Sequence, residues 1–265
     1  MKKIIFSFFC LLAICASAGV APANRAWPVF RGSGSAPLPP YWWDTAYAKS
    51  KIILEFSTTN NPTLDSSVIG TNNGTLGVTS KKPTWSSSTN TTISGSAHYY
   101  FDGGDEISCP PVPSVCGTNK RTVIFWYRSG ETADRRPFGW GNTSANGATF
   151  DCYLRRTVNQ MQMSLNNRNR IWTWTPLTNW SMITIVLSAP NASNLTAYVN
   201  TTALSIVSTS AGSIDTANTP IWIGRGALTN GINGRIDGFK VYNEALSLGQ
   251  IRTNYLITVT NYTGR

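Results

Sequence analysis

Apolar and polar residues alternate with period two along much of this chain. That period marks β-strands that keep one face in a core. It predicts strands at Ile52–Phe56, His98–Phe101, Ala148–Leu154, Gln160–Leu165, Met182–Leu187, Leu195–Val199, Pro220–Ile223 and Ile236–Tyr242. Thr122–Tyr127 is apolar on both faces, as expected of a central strand covered on both sides. Turn clusters such as Asp102-Gly-Gly-Asp105 separate these runs. No helical period precedes Ser247. There Ser247 and Gln250 fit a capping box, and Leu246 and Ile251 hold the two positions of a hydrophobic staple, which predicts a capped helical turn. Many short strands and one late helical turn predict an all-β, antiparallel two-sheet β-sandwich of the jelly-roll kind.

In the last predicted strand, parity puts Asp237, Phe239 and Val241 on one face and Ile236, Lys240 and Tyr242 on the other. Asp237 is thereby aimed at the core. A buried carboxylate needs a cation or several donors. Calcium is one answer, with Asp65, Asp102 or loop carbonyls as further ligands. Backbone amides with a neighbouring arginine are the other.

Composition adds a compartment. Hydrophobic residues make up 41% of the 265, enough for a core, whereas charged residues are only 13%, with Ser, Thr, Asn and Gly in their place. Lys2 and Lys3, the apolar run Ile4–Ile14 and the small residues Ala16-Ser17-Ala18 have the order of a signal peptide over residues 1–18. The run is too short to span a bilayer, and so is every later one. Residues 19–48, rich in Pro and Gly, predict a linker or extended arm, 49–258 the sandwich, and 259–265 a tail. Cys109, Cys116 and Cys152 would remain after cleavage. A Cys109–Cys116 disulfide around Pro110-Pro-Val-Pro113 is the first expectation, which leaves Cys152 as a buried thiol or an intermolecular link; a bond from Cys152 to either of the others is the alternative. Three cysteines without a CxxC, with His98 as the sole histidine, build no zinc site. Asn-X-Ser/Thr sequons, among them Asn73, Asn142, Asn191 and Asn200, fall in predicted loops and would be glycosylated in a eukaryotic host.

The formal charge is +10, or about +8 without Lys2 and Lys3. Scattered charge of this kind is usually plain solvated surface; as a recognition feature outside a cell it favours anionic glycans over nucleic acid. Trp172 and Trp174 share a face if their segment is extended, and Arg168 and Arg170 stand just before them. Two coplanar indoles make a platform for sugar rings, and the guanidinium groups would hold carboxylates or sulfates. The alternative packs one indole in the sandwich and lays the other over a loop. Trp126, Trp180 and Trp222 lie in strand patterns and are expected in the core. Trp140, between Gly139 and Gly141, is expected at an exposed loop tip and joins the ligand-binding candidates.

The order of the motifs resembles one family. Leu54-Glu-Phe56 is followed by Asp65-Ser-Ser67, Asn73-Gly-Thr75, Phe101-Asp-Gly103, Ile124-Phe-Trp126 and Gly141-Asn142. Then come Trp180–Leu187, Tyr198-Val-Asn200, Ile223-Gly-Arg225 and the closing strand. Over about residues 51–257 this is similar to the laminin-G-like, concanavalin A-like lectin domains. Thr201, where that family often has a glycine, departs from it. The resemblance implies a non-catalytic binder of carbohydrate or protein, often with calcium at the sandwich rim. Glucanases share the architecture, but they carry paired carboxylates on a Glu-X-Asp-X-X-Glu run that this chain lacks. No Gly-X-Ser-X-Gly elbow accompanies His98. Three functions follow in order: a secreted, non-catalytic carbohydrate-binding module; a structural or adhesive surface protein that assembles through protein contacts; and an unusual glycan hydrolase.

Overall fold

A computed structural model describes residues 52–55, 72–86, 98–176, 178–227 and 231–259. All belong to one folded unit, Pro40–Arg265. The expected signal peptide and arm, the Asp65 loop and the tail beyond Val259 lie outside the described residues.

In chain order the strands are β1 (Ile52–Glu55), β2 (Thr75–Leu76), β3 (Thr84–Ser86), β4 (His98–Asp102), β5 (Ile107–Cys109), β6 (Arg121–Arg128), β7 (Arg135–Gly141) and β8 (Thr149–Arg155). They continue as β9 (Gln160–Ser164), β10 (Asn169–Thr173), β11 (Ser181–Leu187), β12 (Leu195–Val199), β13 (Thr202–Ala203), β14 (Ile206–Ser210), β15 (Ile221–Ile223) and β16 (Asn233–Tyr242). The helix α1 (Leu248–Val259) follows. Two antiparallel sheets result. The first runs β13-β12-β11-β6-β16-β4-β3, with β1 also on β16, and the second runs β14-β10-β9-β8-β7-β15-β5-β2.

The core follows from the alternation. In the first sheet Phe101, Val123, Phe125, Ile183, Ile185, Leu187, Phe239 and Val241 face inward. Ile107, Phe138, Trp140, Phe150, Cys152, Leu154, Met161, Met163, Ile221 and Ile223 meet them from the second. Phe125 and Phe138 touch edge to face at 5.6 Å, and Phe239 joins Phe138 at 5.7 Å, so an aromatic layer bridges the sheets. The residues of β6 that face the other way, Ile124 and Trp126, are covered by α1 through Ile251, Tyr255 and Val259, spaced i, i+4, i+8. Trp126 stacks on Tyr255 at 5.8 Å and donates its indole N–H to Thr258 Oγ1. The capping box forms as expected: the Ser247 amide donates to Gln250 Oε1 and the Gln250 amide to Ser247 Oγ. The expected helical turn is therefore the start of a twelve-residue helix.

The parity of the closing strand is corrected. Asp237 pairs with Trp126 and Lys240 with Ile124, so two residues of β16, Gly238 and Phe239, oppose the single Phe125. Gly238 sits at φ 54°, where a glycine adopts the bulge without strain. The extra residue reverses the alternation. Ile236, Phe239 and Val241 face the inter-sheet core, while Asp237 stands on the α1 side of the sheet, 4% exposed.

This second, smaller core yields a test. Ile251→Ala is expected to lower unfolding free energy by about 2–5 kcal/mol. Leu256→Ala, on the same helix but 54% exposed, is expected to change it by less than about 0.5 kcal/mol. Urea denaturation of both variants measures the difference.

Candidate functional site

The structure takes the indoles out of contention as a stacking platform. Trp172 and Trp174 share a face, as expected, but that face is internal: they are 1% and 4% exposed and pack in the inter-sheet core. Trp172 lies opposite Met161 of β9 and is covered by the other sheet. Trp140 is not at a loop tip. It is fully buried on β7, with its ring 4.7 Å from Phe150. Its flanking glycines answer to close neighbours rather than a turn tip: a Cβ on Gly139 would meet the Asp151 carboxylate, and one on Gly141 (φ 93°) the Ala148 carbonyl. Trp222 corrects the expectation in the other direction. Ile221 and Ile223 take the inside, so Trp222 faces outward, half-buried beneath the Arg225 guanidinium at 4.4 Å.

Arg168 and Arg170 serve the sheet edge. The Arg168 side chain lies over Gly212, and Arg170 donates to Thr209 Oγ1, which ties β10 to β14. Of the proposed calcium ligands, Asp65 lies outside the described residues. Asp102 is exposed at the end of β4, where its Oδ1 accepts the Gly104 amide at 3.1 Å. Asp237 Oδ1 accepts the Gly238 amide at 2.7 Å. Among the described residues no three or more His, Cys, Asp or Glu side chains converge on a common point. His98 packs edge-on against Trp180 at 5.6 Å.

No disulfide joins Cys109, Cys116 and Cys152, against the expected Cys109–Cys116 pair. Cys109 points inward from β5, Cys116 is held in the following loop, and Cys152 lies in the middle of β8. Burial raises the Cys152 thiol well above the ordinary cysteine range, and it raises Cys116 against the pull of Arg121. A fully buried Cys152 is also closed to an intermolecular bond.

The described concavity lies at one end of the sandwich. Three loops form it: β5–β6, β7–β8 and β14–β15. They form an open depression of about 620 Å³, with Cys116, Gly117, Thr118, Asn119, Ser144, Ala148, Asp215, Thr216 and Asn218 in the wall. Backbone bonds weld the loops together: Gly117 and Thr216 exchange amide–carbonyl bonds at 2.7 and 3.1 Å, Ala217 donates to Ala148, and Asp215 donates to Gly147. Beneath them is Arg121, fully buried at the start of β6. Its guanidinium donates to the Val115 carbonyl and, at 3.0 Å, to that of Gly117, and it lies 4.7 Å over the Phe150 ring. Desolvation brings its pKa down to about 10, which leaves it charged at neutral pH. Asp215 is the one carboxylate in the wall. Thr216 Oγ1 is buried in it with no hydrogen-bond partner.

Among the described residues, three carboxylates elsewhere form ion pairs. Glu131 pairs with Arg135 at 2.7 Å, Glu106 with Arg225 at 2.7 Å, and the fully buried Asp151 with Arg136 at 2.6 Å. Burial opposes charge on Asp134, but the Thr157 amide and hydroxyl and the Tyr153 hydroxyl outweigh it and hold its pKa below the usual range.

Residues 101–252 match the sequence profile of the concanavalin A-like lectin/glucanases superfamily. That is more than half of the chain, and the chain belongs to this family. Solved structures agree on the fold. Domain 4 of AbnA, a GH43 extracellular arabinanase from Geobacillus stearothermophilus in complex with arabinotriose, superposes with a TM-score of 0.53 at 16% identity, over 77% of this chain and 97% of that domain. The receptor-binding domain of botulinum neurotoxin D gives 0.56 at 13% identity, over 80% of this chain and 52% of its own. Trypanosoma rangeli sialidase gives 0.57 at 12% identity, over 81% of this chain and 34% of the sialidase. The chain thus spans about half of the toxin domain and a third of the sialidase. No curated protein sequence matches.

Two measurements check these assignments. Ellman titration of the native protein without reductant is expected to leave Cys109, Cys116 and Cys152 silent, and unfolding in guanidinium to release all three thiols. Asp151→Asn, which breaks a buried ion pair, is expected to destabilise by about 3–5 kcal/mol in chemical denaturation.

Proposed function

We propose that this chain is a secreted, non-catalytic module that binds a neutral, hydroxyl-rich sugar in the loop-end pocket. One observation carries the reading: the 620 Å³ pocket presents a single carboxylate, Asp215, among hydroxyl and amide side chains. An ionised carboxylate accepts hydrogen bonds from neighbouring sugar hydroxyls, and Asn218 and Thr118 supply donors and acceptors around it. Hydrolysis of a glycosidic bond asks for two carboxylates across the bond, and the wall has one. Arg170, expected to hold carboxylates or sulfates, donates to Thr209 Oγ1 at the β10–β14 seam, which favours a neutral ligand in this reading. Secretion rests on the signal-peptide pattern of residues 1–18. Family membership and the binding domains among the structural neighbours support a binding role.

A glycan array tests the reading. Binding of one neutral sugar class is expected, weakened about 10- to 100-fold by Asp215→Ala, as for a lost charge-assisted hydrogen bond. Binding indifferent to this change would remove the pocket from the proposal. Incubation with arabinan, glucan and sialoglycan is expected to release no sugar, and turnover would favour a hydrolase instead. A calcium ion near Asp237 or Asp102 stands as a separate proposal. A Tm rise when calcium is returned to chelator-stripped protein supports it, and an unchanged Tm with no metal by elemental analysis removes it.

A second reading rests on β14. This edge strand of the second sheet has no charged residue and exposes Ile206 and Val207, and an uncharged apolar edge invites pairing with another chain. Light scattering decides it: self-association abolished by Ile206→Lys favours an adhesive assembly.

A further inference from the structure

At the other end of β6 and β8 a positive charge is buried with no carboxylate paired to it among the described residues. Arg156 opens the short turn after β8 and is 7% exposed. Its Nη2 donates to the Ser129 carbonyl at 3.2 Å, while Nε and Nη1 have no acceptor. The guanidinium carbon lies 5.9 Å from the centre of the Trp174 ring, and the Trp174 indole N–H also lacks an acceptor. The buried Tyr127 hydroxyl, beside Ser129 and Arg156, makes no hydrogen bond of normal geometry.

The arrangement is held in place by the backbone. Asn159, at φ 53°, closes the turn by donating its amide to the Arg156 carbonyl, and its own carbonyl accepts the Trp174 amide at 2.9 Å. The nearby carboxylates are committed elsewhere. Glu131 is taken by Arg135, and Asp134 accepts from Thr157 and Tyr153. Among the described residues no carboxylate forms an ion pair with Arg156.

A buried full charge is unstable without a compensating charge. The groups around it are donors: two guanidinium N–H groups, an indole N–H and a phenol O–H. A water molecule placed among them would bring two hydrogens of its own, with the Tyr127 oxygen the one acceptor on hand among these side chains. A monatomic anion seated among them would accept these hydrogen bonds and donate nothing. We infer that Arg156, Trp174 and Tyr127 form a buried site for a halide-sized monovalent anion, chloride in an extracellular setting. The site is independent of the sugar pocket, because it involves none of the pocket's residues.

Purified full-length protein is melted in sodium chloride or bromide and in sodium methanesulfonate, whose anion is too large, at equal ionic strength. A saturable halide-specific Tm rise of about 3–6 °C is expected at tenfold the dissociation constant. Arg156→Met is expected to abolish the halide-specific part. Crystals of the unaltered protein grown in bromide are expected to show an anomalous peak beside the Arg156 guanidinium, a readout that does not depend on whether the variant folds. Equal melting in the two salts, an undiminished halide effect in the variant, or an ordered water with no anomalous signal would overturn the site.

Discussion

The strand β6 is buried on both faces, and the rest of the molecule is arranged around that fact. Phe125 sends its ring between the sheets to meet Phe138 and Phe239, while its neighbours Ile124 and Trp126 need a cover on the other side. A sheet with only one face sheltered would leave Trp126 and Met182 in water. α1 supplies the shelter, and it can do so because β16, which leads into it, is paired directly to β6. Two cores thus lie on opposite faces of the first sheet, with β6, β11 and β16 contributing to both, and the smaller is closed by the last described element. Both ends of β6 also meet a buried guanidinium: Arg121 under the pocket loops, and Arg156 beside Tyr127.

The fold was legible because its signal is periodic. β6, β9, β11 and β12 alternate or run apolar without interruption, and the capping residues mark the helix start at the right place. Several strands lack a readable signal: β2, β3 and β5 are only two or three residues long, too short to show a period, and others break the rule. β7 carries Pro137 and Gly139, yet it is a strand in the second sheet, with a register shift between Arg135 and Phe138. β13 and β14 are polar and exposed at sheet edges, where no core imposes a period. Gly238 shows the opposite failure. The period was read correctly residue by residue, but a bulge inserts one position, and a one-residue slip inverts every face that follows.

The candidate site was much less legible. Aromatic residues can stack on sugars, but in a sandwich they are also the largest available core fillers, and Trp140, Trp172 and Trp174 lie inside. The strict alternation at Ile221-Trp222-Ile223 did contain the signal that Trp222 faces out. The pocket residues Thr118, Asn119, Asp215 and Asn218 come from loops far apart in sequence. Nothing periodic connects them, and only the pairing of Gly117 with Thr216 brings them together. The buried Arg121 and Arg156 look in sequence like ordinary surface charge.

Arg121 holds the pocket floor through the main-chain carbonyls of Val115 and Gly117. Its grip is therefore indifferent to the side chains of the residues it binds. Substitutions along the loop can alter what the pocket presents while the guanidinium keeps the loop's path. The same separation of scaffold from surface would let relatives of this chain diverge in specificity without first having to re-solve the fold.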